Sequence, residues 1–391
     1  MNIDDLISTF NAQFGKGSVQ VFRAPGRVNL LGEHVDYNEG PVLPAAIDRA
    51  VYLVASLNES NVVQLYAADI EEQVSFSLEG LNRKVDLAGN PLPGWARYPA
   101  GVAWALQSAG FSTSGLQAVY SSDVPIGAGL SSSAAVEMAF AITWQSLGGW
   151  SAERMTLARL CQQAENEYVG VASGLMDQFA SAHGVPGHAL YFDTRSLDWE
   201  AVPLPENTLL IIADSGVRRS LTSSAYNERR ADCEEAVEIL RQALPNIQSL
   251  RDVTPAEFGR LSHNLPHMVR LRADHVIHEI ERVHLANIAL RAGDRETFGA
   301  LMFAGHSSLR DLYQVSTPEL DALVDIARDL PGCIGARLTG AGFGGCTINL
   351  VEEGSAEIFI QGLQDGYHRK SGQVTQVYLC KASQGASQIN P

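Results

Sequence analysis

The spacing of apolar positions changes period several times along the chain. Val51-Tyr-Leu-Val54 and Thr208-Leu-Leu-Ile-Ile212 are short apolar runs bounded by turn residues, and each predicts a strand. The same reading applies to 116–120, while 347–351 alternates as a strand does. Over 155–168, Leu157, Cys161, Ala164 and Tyr168 recur at three- and four-residue spacing, which predicts a helix. Further helices are expected over 134–144, through 234–240, and between about 273 and 291. Strands mixed with helices argue for an α+β or α/β fold. No internal repeat, heptad run or low-complexity block interrupts this pattern. The polar, turn-rich stretch 193–205 suggests a division into halves at 1–195 and 196–391. The tail from about 383 to 391 is mostly Ser, Gln, Gly and Asn, with little to bury, and is expected to fray.

Composition narrows the class. A chain of 391 residues with 46% hydrophobic content has ample length for about two domains of ~150 residues. Lys+Arg 28 against Asp+Glu 44 leaves a net charge of −16, which argues against nucleic acid or an anionic membrane as partner. The N-terminus lacks the basic-then-apolar pattern of a secretory signal, and no apolar run approaches the ~18 residues of a membrane span. The five cysteines are odd in number, widely spaced and free of CxxC pairs. A disulfide framework or cysteine-rich zinc site is therefore not expected, and a reducing cytoplasm fits best.

Three glycine-rich segments carry the candidate chemistry. Asp123-Val-Pro-Ile-Gly-Ala-Gly-Leu-Ser-Ser-Ser-Ala-Ala135 lies between a predicted strand and a predicted helix. Gly127 and Gly129 let the backbone approach a ligand, and Ser131, Ser132 and Ser133 fall where a helix begins. Unpaired N–H groups and the helix dipole make this an anion site, most naturally for phosphate; a serine-capped helix is the bland alternative. No GKS or GKT follows, so it is not a Walker A loop. A second segment, Thr339-Gly-Ala-Gly-Phe-Gly-Gly-Cys346, satisfies GxGxxG formally, but a strand follows it where a dinucleotide fold requires a helix. It reads better as a glycine-rich turn between two strands, close to a ligand or another backbone. The third segment runs from Arg23 to Asn38. Its Glu33, His34 and Asp36 would suit a polyhydroxylated ligand, and its Arg27 a phosphate or a carboxylate; an Arg–Glu pair beside a satisfied histidine is the structural alternative.

Two carboxylates stand apart from these loops. Glu165 falls on the shoulder of the apolar helical stripe, where a buried carboxylate would need a cation. Asp177, in Ser173-Gly-Leu-Met-Asp-Gln-Phe179, sits among apolar side chains near a helix start. His275, His278 and Glu279 share a helix face, but without HExxH a solvated face is expected there rather than a metal site. GxSxG is absent, so a serine-hydrolase elbow has no support.

Taken together, the segments resemble the GHMP small-molecule kinases over nearly the whole chain and in the expected order. The second family motif is similar to 125–135 and the third to 338–346, while Gly26-Arg-Val-Asn-Leu-Leu-Gly-Glu-His-Val-Asp-Tyr-Asn38 resembles the branch that phosphorylates galactose. The resemblance implies an α+β, two-domain fold with the active site between the halves. It implies ATP and galactose as substrates, transfer to the anomeric C1 hydroxyl, and Mg²⁺ as cofactor. Asp177 would be the catalytic carboxylate, and Arg27 would stabilise charge on the moving phosphoryl group. Glu33, His34, Asp36, Gly174 and Tyr226 would hold the sugar. Gly127, Gly129, Ser131 and Ser133 would line the phosphates, Trp95 and Tyr98 the adenine side, and Ser132 and Glu165 the metal.

Departures from the family pattern border the sugar loops: Val35 where Thr is frequent, Glu39 where Gly is common, and Val171-Ala-Ser173 before Gly174. Two rival readings follow. One is a kinase for a related sugar, such as N-acetylgalactosamine or arabinose. The other is a galactose sensor without catalysis, which the complete run Ser131-Ser-Ser-Ala-Ala135 disfavours.

Overall fold

Alternate residues of three neighbouring strands face opposite ways, and that alternation builds the first half of the molecule. In strands Gln20–Asn29, Pro44–Leu57 and Leu116–Ser122, Val21, Val54 and Val119 pack on Leu6 and Phe10 of helix Ile3–Phe14. Phe22, Leu53 and Ala118 point the other way, into the largest core cluster. Helices Gly94–Ser108, Ser132–Leu147, Arg154–Gln163 and Met176–His183 bring apolar residues to that cluster. The six-stranded sheet is completed by Val62–Ala67, Glu72–Ser77 and, at its edge, Ser387–Ile389. All its pairings are antiparallel except Val62–Ala67 with Leu116–Ser122. The structure is a computed structural model that describes residues 2–125, 127–218 and 222–390.

A second, four-stranded antiparallel sheet runs in the order Cys333–Thr339, Cys346–Glu352, Thr208–Asp214, Gln376–Cys380. Its Leu209, Ile211 and Ala213 pack with Leu323 and Phe359 of helices Pro318–Arg328 and Ala356–Ser371. The opposite face, with Leu210, Ile212, Ile348 and Leu350, joins Val28, Leu30, Val124 and Leu130 in one buried cluster. The second sheet therefore packs on the end of strand Gln20–Asn29 and on the loop before helix Ser132–Leu147, the two segments that carry chemistry. A small three-stranded sheet, Pro41–Val42, His188–Asp193 and Trp199–Pro203, completes an α+β fold.

The predicted strands and helices are all present, with longer bounds. The helix expected over 155–168 is α-helical over Arg154–Gln163 and continues as a π-helical turn, Ala164–Val169. Such turns recur at functional sites. The strand Cys346–Glu352 follows the GxGxxG segment, as the rejection of a dinucleotide site requires.

The tail corrects the reading from composition. Ser387–Ile389 pairs with Val21–Arg23, the Ala386 N–H donates to the Ser181 carbonyl at 2.8 Å, and Arg154 donates to the Ala386 carbonyl at 2.9 Å. An exposed sheet edge and a waiting guanidinium supply what the tail's own side chains lack. A chain ending at Gln384 is expected to lose about 2–4 kcal/mol at roughly 1 kcal/mol per net hydrogen bond. Thermal unfolding would report this as a Tm several degrees lower; an unchanged Tm would show the terminal strand to be dispensable.

Candidate active site

Strand Gln20–Asn29 slips register between Pro25 and Arg27, and this bulge re-aims Arg27. The intervening Gly26 has no room for a side chain, since a Cβ there would lie 2.7 Å from the Leu130 carbonyl. Arg27 is buried at 4% exposure. Its Nε and Nη2 reach Asp177 Oδ1 at 2.8 and 2.7 Å, and its Nη1 donates to the Gly129 carbonyl at 2.6 Å. Asp177 stands in the first turn of helix Met176–His183, and its Oδ2 accepts from the Ser131 hydroxyl. Arg27 thus faces a carboxylate, one of the two partners its residue type suggested. Ser131 adopts a left-handed backbone, φ 58°, and its hydroxyl turns onto Asp177 instead of capping helix Ser132–Leu147.

Asp177 opens onto a cavity of about 400 Å³ that brings together Arg27, Glu33, His34, Asp36, Glu165, Gly174 and Tyr226. Gly174 is forced by packing, because a Cβ there would lie 1.7 Å from Asp36 Oδ2. Burial, and then the nearby Asp177 charge, push the Asp36 carboxyl up to about 6.

Glu33 is held by a buried cation that the sequence reading overlooked. Burial pushes its carboxyl up to about 7 against the pull of Arg337, which pairs with its Oε2. The Gly340 N–H reaches Oε1 at 3.3 Å. Arg337 also pairs with Glu279 at 2.9 Å, and Glu279 with Arg282 at 2.6 Å. Although burial acts in the opposite direction, the two guanidiniums hold the Glu279 carboxyl well below the usual range. The helix face at 275–279, expected to be solvated, is thus corrected at His275 and Glu279, while His278 is half-exposed and pairs with Asp274 at 2.9 Å. His275 and Glu279 are both fully buried, and they reach the Glu33 carbonyl (3.2 Å) and the Gly32 N–H (2.9 Å). An arginine set in the apolar strand Cys333–Thr339 was the available signal for this network.

His34 is neutral, since burial lowers its pKa to about 4. Its Nε2 lies 3.1 Å from the Ala341 carbonyl and must carry the proton. Nδ1 therefore accepts from the Tyr37 hydroxyl at 2.9 Å, which in turn accepts from Tyr313 at 2.7 Å. Both ring nitrogens are occupied within the protein, so His34 offers the cavity its ring face and backbone.

The phosphate-loop side is built from backbone contacts. Gly127 and Gly129 have φ of 69° and 77°. A Cβ at Gly340 would lie 2.8 Å from the Gly129 carbonyl, and one at Gly345 3.0 Å from that of Ala128, so this loop and the third segment touch main chain to main chain. Ile126 lies outside the described residues. Arg218, bound to Asp214 at 2.8 Å, rests against Gly127, another cation missed from sequence.

Glu165 is buried, which raises its pKa, but no cation pairs with it among the described residues. It accepts instead from Ser173 at 2.5 Å and from Gln178 at 2.8 Å, with Ser133 also in reach. Gln178 bridges Glu165 to a second buried carboxylate, Glu137, at 2.9 Å. Trp95 and Tyr98 lie on helix Gly94–Ser108, outside the lining of the cavity. Trp95 donates to Glu72 at 2.6 Å; burial, then the charges of Glu165 and Glu137, push Tyr98 up to about 12. Among the departures, Glu39 takes a left-handed φ of 60°, which explains the family's preference for glycine, and pairs with Arg195 at 2.6 Å.

Comparison with known proteins identifies the family. The galactokinase galactose-binding signature matches residues 8–57, the GHMP kinase N-terminal domain 97–185, and the GHMP kinase C-terminal domain 286–369. Mevalonate kinase from Methanococcus jannaschii shares the fold at TM-score 0.66 and 21% identity, covering 94% of this chain and 99% of that one. The fold and both matched domains are those of a GHMP kinase. A galactokinase from Roseiflexus is 44% identical over 389 residues, covering 100% of this chain and 98% of the relative. One from Chloroflexus aurantiacus is 42% identical, covering 98% and 97%. Lactococcus lactis galactokinase, solved with galactose, superposes at TM-score 0.94 and 33% identity over 99% of this chain and 100% of that chain. The chain belongs to the galactokinase family.

Replacing Arg337 by Met would strand two buried carboxylates, and a loss of about 3–5 kcal/mol is expected in denaturant unfolding. The double variant with Glu279→Gln should recover part of that loss; equal stability of R337M and the parent would remove the network from the account.

Proposed function

We propose that the chain transfers the γ-phosphoryl group of ATP to the C1 hydroxyl of galactose, giving galactose 1-phosphate and ADP. The carrying observation is Asp177, pinned by Arg27 and Ser131 where the sugar-loop cavity meets the phosphate loop. The C1 oxygen forms the bond to γ-phosphorus as the bond to the ADP oxygen breaks, and the hydroxyl proton passes toward the Asp177 carboxylate. Phosphoryl transfer needs in-line positioning and charge stabilisation more than covalent chemistry. Arg27 supplies both, orienting Asp177 and placing a guanidinium beside the transferred group. Asp36 and Glu33 accept from sugar hydroxyls, Gly174 lets the sugar approach Asp36, and Tyr226 closes the wall. Gly127, Gly129, Ser131 and Ser133 cradle the phosphates with Arg218 nearby, and Trp95 and Tyr98 flank the base.

Mg²⁺ fits the donors present, an oxygen-only set of Glu165 and the Ser132 hydroxyl, because this ion is satisfied by one or two protein oxygens plus phosphate oxygens. Among the described residues no three His, Cys, Asp or Glu side chains cluster as an all-protein metal site. When bound, the ion would neutralise phosphate charge. We place the two halves at 1–195 and 196–391, with the last strand crossing back to the first sheet. A cytoplasmic location suits the five unpaired cysteines, and no helix among the described residues is long and apolar enough to cross a membrane.

ADP release with Mg²⁺-ATP, measured over galactose, glucose, N-acetylgalactosamine and arabinose, tests the reading; turnover with galactose is expected to dominate. Asp177→Asn should lower kcat by about 10²–10⁴-fold while sparing galactose binding, the range of general base catalysis; undiminished kcat would overturn the assignment. Protonation of Glu33 and Asp36, near 7 and 6, removes acceptors. The KM for galactose should therefore rise as pH falls from 8 to about 5, most visibly below about 6. A KM independent of pH would place the sugar elsewhere.

A further inference from the structure

Behind the sugar cavity lies a second one of about 410 Å³, into which Arg159, Arg195 and Arg230 converge beside Gln162 and Asn166. The two cavities share Asp36, Ser173 and Gly174. The Asp36 carboxylate lies directly on the Gly174 main chain, so the partition between them is one residue thick. Arg159, Arg195 and Arg230 bring three guanidiniums to this wall in a chain of net charge −16. Their commitments differ. Arg195 is bound to Glu39 and Asp252, both at 2.6 Å. Arg230 meets Glu234 at 3.0 Å, but that pair is 39% and 65% exposed and weak in water. Arg159 is exposed and has no ion-pair partner among the described residues.

The wall is also connected to the chemistry. Gln162 and Asn166 each donate to the Ser173 carbonyl at 3.2 Å, while the Ser173 hydroxyl donates to Glu165 on the far side.

We propose that this second cavity binds a phosphate-class anion, held by Arg159 and Arg230 with the Gln162 amide, and that its occupancy weakens sugar binding through the Asp36–Gly174 partition. Guanidinium forks match phosphate oxygens, and a multiply charged anion displaces solvent from Arg159 and competes with the exposed Glu234 for Arg230. Its charge, close to the Asp36 carboxylate, opposes the ionised form that accepts from sugar hydroxyls. Free phosphate and the phosphate of a sugar monophosphate share this chemistry. The effect on the sugar rests on the function proposed above; the anion site does not.

Calorimetric titration at constant ionic strength is run on the full chain saturated with galactose and a non-hydrolysable ATP analogue, so that phosphate cannot enter the first cavity. Inorganic phosphate is expected to bind saturably, in the millimolar range or tighter. The double variant R159Q/R230Q should weaken that binding by at least about tenfold. Without added anion, the variant's kcat and KM should stay within about twofold of the parent, as for other surface substitutions. Phosphate should raise the KM for galactose in the parent and leave kcat unchanged, and should do neither in the variant. Hexose 1-phosphate, titrated separately, supports the site whichever ligand binds more tightly, and the tighter one identifies the source. Absence of saturable binding, or equal binding by the variant, overturns the site. Binding without a shift in KM overturns the coupling. Catalytically inactive protein that still binds phosphate would indict the proposed function and leave the anion site standing.

Discussion

The guanidinium of Arg27 joins three segments that are far apart in sequence. It fixes the carboxylate of Asp177 on one helix, holds the Gly129 carbonyl of the phosphate loop, and is itself aimed by a bulge in an inner strand of the first sheet. Burying such a cation is costly unless its donors are satisfied, and here the loop carbonyl and the carboxylate satisfy them. Positions that look like separate motifs are thus parts of one hydrogen-bonded joint. Gly26 has no space for a Cβ, Ser131 is left-handed, and Gly340 presses on Gly129, all for the sake of the same close approach.

A second buried guanidinium does the equivalent work for the sugar loop. Arg337 lies between Glu33 and Glu279, so the strand before the third glycine-rich segment sets the position of an acid in the first. His34 is tied to the same segment through the Ala341 carbonyl, and to Tyr37 and Tyr313 on its other side. Arg27, Glu33, His34 and Asp177 in the cavity wall each already have a partner in the protein. That is the preorganisation which charge-stabilising catalysis requires.

Much of this was legible in the residues alone. Strand alternation, the helical stripe at 157–168 and the strand after GxGxxG all follow from local pattern, and the family resemblance drew Arg27, Glu33, Asp36, Gly174 and Asp177 to one cavity. Long-range pairings were not legible. A reading by helix face takes Glu279 for a solvated acid, since nothing nearby in sequence announces Arg337 fifty-eight residues on. Glu165 was expected to need a cation, but the bonds from Ser173 and Gln178 depend on a π-helical turn that periodicity does not resolve. The tail was misjudged for a related reason: its strand is dictated by the free edge at Val21–Arg23 and not by its own composition.

Steady-state kinetics of Arg27→Lys with galactose and Mg²⁺-ATP probe this joint most directly. Lysine keeps the charge but cannot hold Asp177 and the Gly129 carbonyl with a planar fork. kcat is expected to fall by about 10²–10³-fold, the scale of a lost preorganised donor, with the KM for galactose changed only severalfold. A kcat close to the parent's would contradict the claim that Arg27 organises the reacting centre.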